Sequence, residues 1–278
     1  MIDCPTCKYE NSLVVQNCVS CGTFLGYPNV NDAKRPEEFD SLRSRYDEVS
    51  LKITSDAHKN KIKDFEDAIK TDARAVVNID LDYLETFIVT KNNLYSSYGR
   101  ATAGETRAYA KSEFDKQRNG VEGFLFGSYA DNIRYATLSL DKSGLKSYAD
   151  YSLSLKDIAI AQRATVLEEN SYIIVQKYFD KIPNGYKATW QNKHLLAVVK
   201  CAGEIIKKNK TTFAEILLKS TGDRKTDDFI EVHIFGPFNK ESVESVKGSS
   251  ILTESLDKLK LAKIKNHLTS LGIDWIEQ

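Results

Sequence analysis

Four cysteines in the first 21 residues, Cys4, Cys7, Cys18 and Cys21, follow the spacing CxxC, ten residues, CxxC. Each CxxC turn can aim two thiolates at one ion while backbone N–H groups hold the sulfurs, and two such turns complete the tetrahedral shell that zinc prefers. A four-thiolate shell leaves no position for water, so the expected role is structural. Disulfides would suit an exported chain, but the start MIDCPTCKYE lacks the basic and apolar regions of a secretory signal. Residues 1–26 are too few to bury a core of their own, so metal binding has to supply folding free energy. Cys201 stands apart in LLAVVKCAGEII and reads as a packed small hydrophobe.

Two segments carry the other candidate chemistry. In FIEVHIF, strand alternation puts Phe229, Glu231, His233 and Phe235 on one face and Ile230, Val232 and Ile234 on the other. In RYATLSL it groups Tyr135, Thr137 and Ser139 opposite Ala136 and Leu138. Alternation alone also fits a polar stripe facing water at a sheet surface. Adjacent Glu168 and Glu169 point to opposite sides of any strand, which argues against a paired-carboxylate hydrolase. There is no HExxH, serine elbow, GxGxxG or GxxxxGK pattern.

Taken in order, RNGVEGFLFGSY, RYATLSL, YADYSLSLKDIAIAQRATVLEENS and DDFIEVHIFGPFNKESVESV resemble the ADP-ribosyltransferase fold. Within it they are most similar to an uncharacterised bacterial transferase-like family whose late strand reads Y-I-E-A-Q-x-H-G. The resemblance covers roughly residues 72–250 and implies an NAD cleft in a split sheet. It assigns Glu231 as the catalytic carboxylate. It makes Arg74 or Arg100 the NAD-binding arginine and Tyr135, Thr137 and Ser139 the middle strand of the cofactor site. Phe229 stands where arginine-modifying members carry Glu or Gln, so the implied acceptor is nucleic acid, RNA foremost, or a protein side chain other than arginine. The resemblance further implies a bacterial toxin or phage-defence effector, with an antitoxin as a possible partner.

In such a site, cleavage of the nicotinamide–ribose bond develops oxocarbenium character, which a carboxylate at Glu231 would stabilise. Tyr135 would stack on nicotinamide, and Thr137 and Ser139 would support the glutamate by hydrogen bonds. His233 would orient the acceptor or serve as a hydrogen-bonded structural histidine. The rival reading is a zinc-ribbon adaptor with the transferase shape and no activity.

These residues need a scaffold, and the sequence supplies one of the α+β class. The chain has 278 residues, 41% apolar and 28% charged, with 39 basic and 39 acidic side chains, so no global field holds it on nucleic acid or an anionic membrane. No stretch is long and apolar enough for a membrane span, and a cytoplasmic location is expected. After the ribbon, GYPNVNDAKRP reads as a linker, and Pro36 opens a helix. Phe39, Leu42, Tyr46 and Val49, then Ile62, Phe65 and Ile69, predict two helices in a hairpin between about 37 and 71, which with the linker makes up a segment 27–71. From 72 to 278 the chain reads as the transferase-like domain, a mixed or antiparallel sheet. Its strands are expected at ARAVVNI, RYATLSL, DYSLSLK, RATVLEE, YIIVQKY and FIEVHIFG. Helices follow Asp80 and run through HLLAVVKCAGEII and the tail, the last ending at Gly272.

Overall fold

Short β-branched and apolar segments such as RAVVNI and YSLSL alternate in this chain with longer amphipathic ones, and they sort into a sheet and the helices that cover it. A computed structural model describes residues 1–96, 113–224 and 226–278; Arg100 lies outside the described residues. The strands are β1 (Ile2–Asp3), β2 (Glu10–Asn11), β3 (Arg74–Ile79), β4 (Leu94–Tyr95), β5 (Ile133–Ser139), β6 (Tyr151–Leu155), β7 (Ala164–Leu167), β8 (Lys187–Thr189), β9 (Leu218–Lys219), β10 (Asp228–Phe229), β11 (Glu231–Phe235), β12 (Phe238–Asn239), β13 (Val243–Gly248) and β14 (Asp274–Glu277). The helices are α1 (Pro28–Ala33), α2 (Pro36–Lys52), α3 (Asp56–Thr71), α4 (Leu81–Val89), α5 (Glu113–Phe126), α6 (Asp157–Ile160), α7 (Ser171–Lys177), α8 (Lys193–Ile205), α9 (Phe213–Leu217) and α10 (Ser255–Leu271).

One eight-stranded mixed sheet runs β14-β13-β6-β3-β5-β11-β7-β8. Only β13 and β14 pair in parallel; every other neighbouring pair in it is antiparallel. Among the described residues the sheet is continuous, where the resemblance implied a split one. Its two faces differ sharply. Ala75, Val77, Ala136, Leu138, Leu153, Val166, Val232 and Ile234 share one core with Leu42, Phe65, Ile69, Leu84, Leu196 and Ile264, which come from α2, α3, α4, α8 and α10. The helices of residues 27–71 therefore bury their apolar stripe on the sheet's own core. Both α2 and α3 pack on α8.

The opposite face is polar. Cross-strand register lays a row across it, Ser245, Ser154, Val76, Thr137, Glu231 and Leu167, from β13 to β7. Over β3, β6 and β13 this face is roofed by the connection from β5 to β6, because β3 lies between those two strands and residues 140–150 must cross it. Leu145 N–H donates to Asn78 Oδ1, Gly144 N–H to Ser152 Oγ, and Asn78 Nδ2 to the Ala149 carbonyl. A Cβ at Gly144 would lie 2.2 Å from Asn78 Oδ1, so the crossing requires glycine there. A cavity of about 370 Å³ opens at the edge of this roof, between Ser143, Lys146, Ser152 and Lys247.

Two expected elements form differently. YIIVQKY is helix α7, because Asn170 precedes it as an N-cap whose side chain accepts from Tyr172 N–H. The supposed linker contains α1, with Pro28 at the first helical position. Elsewhere Asp80 caps α4 by accepting from Tyr83 N–H, and Gly272 ends α10 in the left-handed conformation at φ 66°. Among the described residues no helix is long and apolar enough to cross a membrane.

Candidate functional site

The four ribbon cysteines come together as their spacing requires. Their sulfurs all lie within 4.8 Å of one another, with Cys4–Cys21 and Cys7–Cys18 each at 3.5 Å. A tetrahedral ion with bonds of about 2.3 Å has sulfur–sulfur edges of about 3.8 Å, whereas a disulfide would bring two sulfurs to about 2.05 Å. The arrangement fits a four-coordinate metal. Cys4 and Cys18 are buried, Cys7 and Cys21 exposed. The Cys7 backbone N–H, foremost, holds the Cys4 thiol down at about 6, against the opposing effect of burial. Asn11 reinforces the turn by donating to Cys18 Sγ at 3.6 Å and accepting from Val19 N–H at 3.0 Å.

The second constellation occupies the polar face where α1, α5 and α7 cover β5, β11 and β7. Glu231 is 5% and His233 4% exposed, and His233 Nε2 lies 3.1 Å from Glu231 Oε1. The other carboxylate oxygen, Oε2, accepts the Ser171 backbone N–H at 2.6 Å. Ser171 opens α7, so its amide is one of the helix's first donors, which have no carbonyl partner inside the helix. Register sets Glu231 opposite Thr137 and His233 opposite Tyr135. The Tyr135 ring meets the imidazole edge to face at 5.3 Å, and Phe126 does the same from the end of α5 at 4.9 Å. Phe126, Tyr129, Ile133 and Phe235 form a small apolar cluster beside the pair, with Tyr27 and Tyr135 packed against it.

Of the residues singled out from the sequence, the fold therefore gathers Glu231, Tyr135 and Thr137, with His233 as a direct partner of the carboxylate. Thr137 Oγ1 is buried without a hydrogen-bond partner, and the support expected from Thr137 and Ser139 comes instead from Ser171 and His233. The reason is local: Ser139 Oγ donates to Asp141 Oδ1 at the start of the roof. Burial alone would push the Asp141 carboxyl up, but the Ser143 hydroxyl and amide, Lys247 and Ser139 hold it below its ordinary value. Arg74 faces Ser139 across β3 and β5, and its guanidinium is engaged by Glu244 at 2.6 Å and by the Thr71 carbonyl at 2.9 Å. Phe229 belongs to β10, which leaves the sheet to pair with β9, and it is buried there.

Glu168 and Glu169 do separate, as alternation requires. Glu168 makes a bidentate pair with Arg45 at 2.6 and 2.9 Å, and Glu169 meets Lys177. Arg45 also caps the Gly185 carbonyl and lies over the Tyr186 ring at 4.0 Å, tying α2 to the β7 side of the sheet.

Residues outside the sequence reading complete the site: Ser171, Phe126 and Asn29. Asn29, on α1, donates from Nδ2 to the carbonyls of Arg163 and His233 at 3.1 Å each and to Thr165 Oγ1 at 3.4 Å. The signals available for two of them were EENS, an N-cap pattern, and YPN, a proline at a helix start. Comparison with protein-family models, with curated proteins and with solved structures finds no match to this chain.

Proposed function

We propose that the chain is an NAD-dependent ADP-ribosyltransferase with Glu231 as its carboxylate and a structural zinc ion held by Cys4, Cys7, Cys18 and Cys21. What supports the reading is one observation: Glu231 is buried on the polar face in direct register with Thr137, and its partner His233 abuts the ring of Tyr135. A carboxylate fixed by a helix-terminal N–H and an imidazole needs no reorganisation when positive charge develops beside it. In the reaction the bond from ribose C1′ to nicotinamide breaks, and a bond from C1′ to an acceptor oxygen or nitrogen forms. The acceptor loses its proton, and nicotinamide leaves with the bonding pair. Glu231 would hold the ribose hydroxyl and stabilise the oxocarbenium character at C1′, and Tyr135 would stack on nicotinamide. The four-thiolate shell of the ribbon supplies folding free energy.

Phe229 offers no carboxylate to an arginine acceptor, so the acceptor proposed is RNA or a non-arginine protein side chain. A cytoplasmic toxin or phage-defence effector restrained by an antitoxin protein is the setting that fits this chemistry. A second reading, an adaptor without activity, is favoured by two facts: both Glu231 oxygens already have donors, and Arg74 is engaged by Glu244. Incubation with labelled NAD and separate RNA, DNA and protein acceptors decides between them. Label transfer or NAD hydrolysis that disappears in Glu231→Gln supports the enzyme; no label on any acceptor and no hydrolysis supports the adaptor.

A further inference from the structure

We infer that Asn29 is a positioning residue. It fixes the His233 segment of β11, and through His233 the Glu231 carboxylate, in a geometry set by the cysteine ribbon. The inference rests on the transferase reading only in treating Glu231 as the working group. Asn29 is 4% exposed and spends its amide hydrogens on three acceptors, the His233 carbonyl of β11, the Thr165 hydroxyl of β7 and the carbonyl of Arg163 just before β7. Its own Oδ1 is buried and has no partner. A side chain whose donors are fully used while its acceptor has no donor is placed for what it donates to.

The same short helix is held from the other side by the ribbon. Asn31 Nδ2 donates to the Leu25 carbonyl at 3.2 Å, and Leu25 packs with Cys4 and Cys18 in the ribbon's own apolar cluster. Leu25 N–H in turn donates to the Gln16 carbonyl, two residues before Cys18. The turn between them is tight: Gly26 has φ 103°, and a Cβ there would lie 2.8 Å from Asn31 Oδ1. A run of rings parallels these bonds, Phe24 on Tyr27 at 5.4 Å and Tyr27 on Phe235 at 5.5 Å, the last residue of β11. Metal shell, Leu25, Asn31, Asn29 and His233 thus form one contiguous path of packed and hydrogen-bonded groups. Loss of the metal frees Leu25, and the strain reaches the imidazole that holds Glu231.

The test uses the full-length, isotope-labelled chain, with zinc bound and after chelation. It reads the ring resonances of His233 by NMR and the amide exchange of residues 231–235. In the wild type, chelation shifts the His233 ring signals and speeds exchange across 231–235 by about tenfold or more, while amides of β6 keep their protection. Asn29→Ala with zinc bound shows the shifted His233 signals already, and chelation moves them no further. Asn29→Asp, which sets a carboxylate against the carbonyls of Arg163 and His233, does the same. Should Asn29→Ala not fold, zinc-bound Asn31→Ala, cut at the ribbon end, must reproduce the shift. Unmoved His233 signals on chelation, an equal response with and without the Asn29 amide, or uniform loss of protection in β6 and β11 together overturns the inference. None of these readouts requires turnover. A chain inert toward NAD that shows the coupling refutes the function and keeps the role of Asn29, whereas an active chain without coupling does the reverse.

Discussion

Replacing Glu231 separates its chemical role from its structural one, because the two possible substitutions leave different groups unsatisfied. In Glu231→Ala the Ser171 N–H loses its acceptor and His233 Nε2 loses its partner, both in a buried site. Each orphaned polar group costs about 1–3 kcal/mol, so Glu231→Ala should destabilise the fold by about 2–6 kcal/mol, enough to confuse inactivity with unfolding. In Glu231→Gln the amide oxygen still accepts from Ser171, and the new N–H₂ donates to His233 Nε2 in the tautomer that carries its ring proton on Nδ1. Stability should then change by less than about 1 kcal/mol, while the missing negative charge lowers NAD cleavage by about 10²–10³-fold. Urea unfolding of the three proteins, followed by release of labelled nicotinamide under conditions where each is folded, measures both quantities. A Gln variant that is folded and cleaves NAD at the wild-type rate refutes the assignment of Glu231. A Gln variant as unstable as the Ala variant refutes the hydrogen-bond account of how the site is held.

Further outcomes follow from other parts of the fold. Metal analysis of the purified chain should find one zinc per molecule, and Cys18→Ser, which removes a buried ligand, should abolish stoichiometric binding. Glu168→Ala should destabilise by about 3 kcal/mol, since it leaves the Arg45 guanidinium with the Gly185 carbonyl and the Tyr186 ring alone; thermal unfolding reads the loss. Burial pushes the Cys201 thiol up to about 12 from 9.0, so it should resist thiol reagents until the chain unfolds, while the ribbon cysteines react once metal is removed. The sign of its linkage is that of a raised pKa: the contribution is intact below 9.0 and is lost as pH climbs through about 12, a dependence that Cys201→Ala should abolish in alkaline urea titrations.

Local signals were enough for most elements. Period-3.6 spacing of Ile62, Phe65 and Ile69 marks α3, period-2 spacing marks β5 and β11, and Asp80 and Gly272 mark helix ends. The cysteine cluster was legible because its ligands are close in sequence and metal geometry dictates their spacing. His233 beside Glu231 followed from alternation along one strand, but residues 29, 126 and 171 did not, since their proximity to Glu231 depends on strand order and helix placement. YIIVQKY looked like a strand because short apolar runs carry no decisive period, and the cap at Asn170 outweighed β-propensity. Likewise Arg74 opens the expected strand, but its engagement by Glu244 depends on a residue 170 positions away.

The place of β11 in the sheet has a consequence during synthesis. The strand inserts between β5 and β7, both of which are translated at least 60 residues earlier. A ribosome must therefore have released the segment through Phe235 before a carboxylate can stand opposite Thr137, and a product terminated ahead of β11 keeps Tyr135 and Thr137 but lacks Glu231 and His233. For the transferase proposed above, the weaving order alone withholds the Glu231 site until β11 has been made.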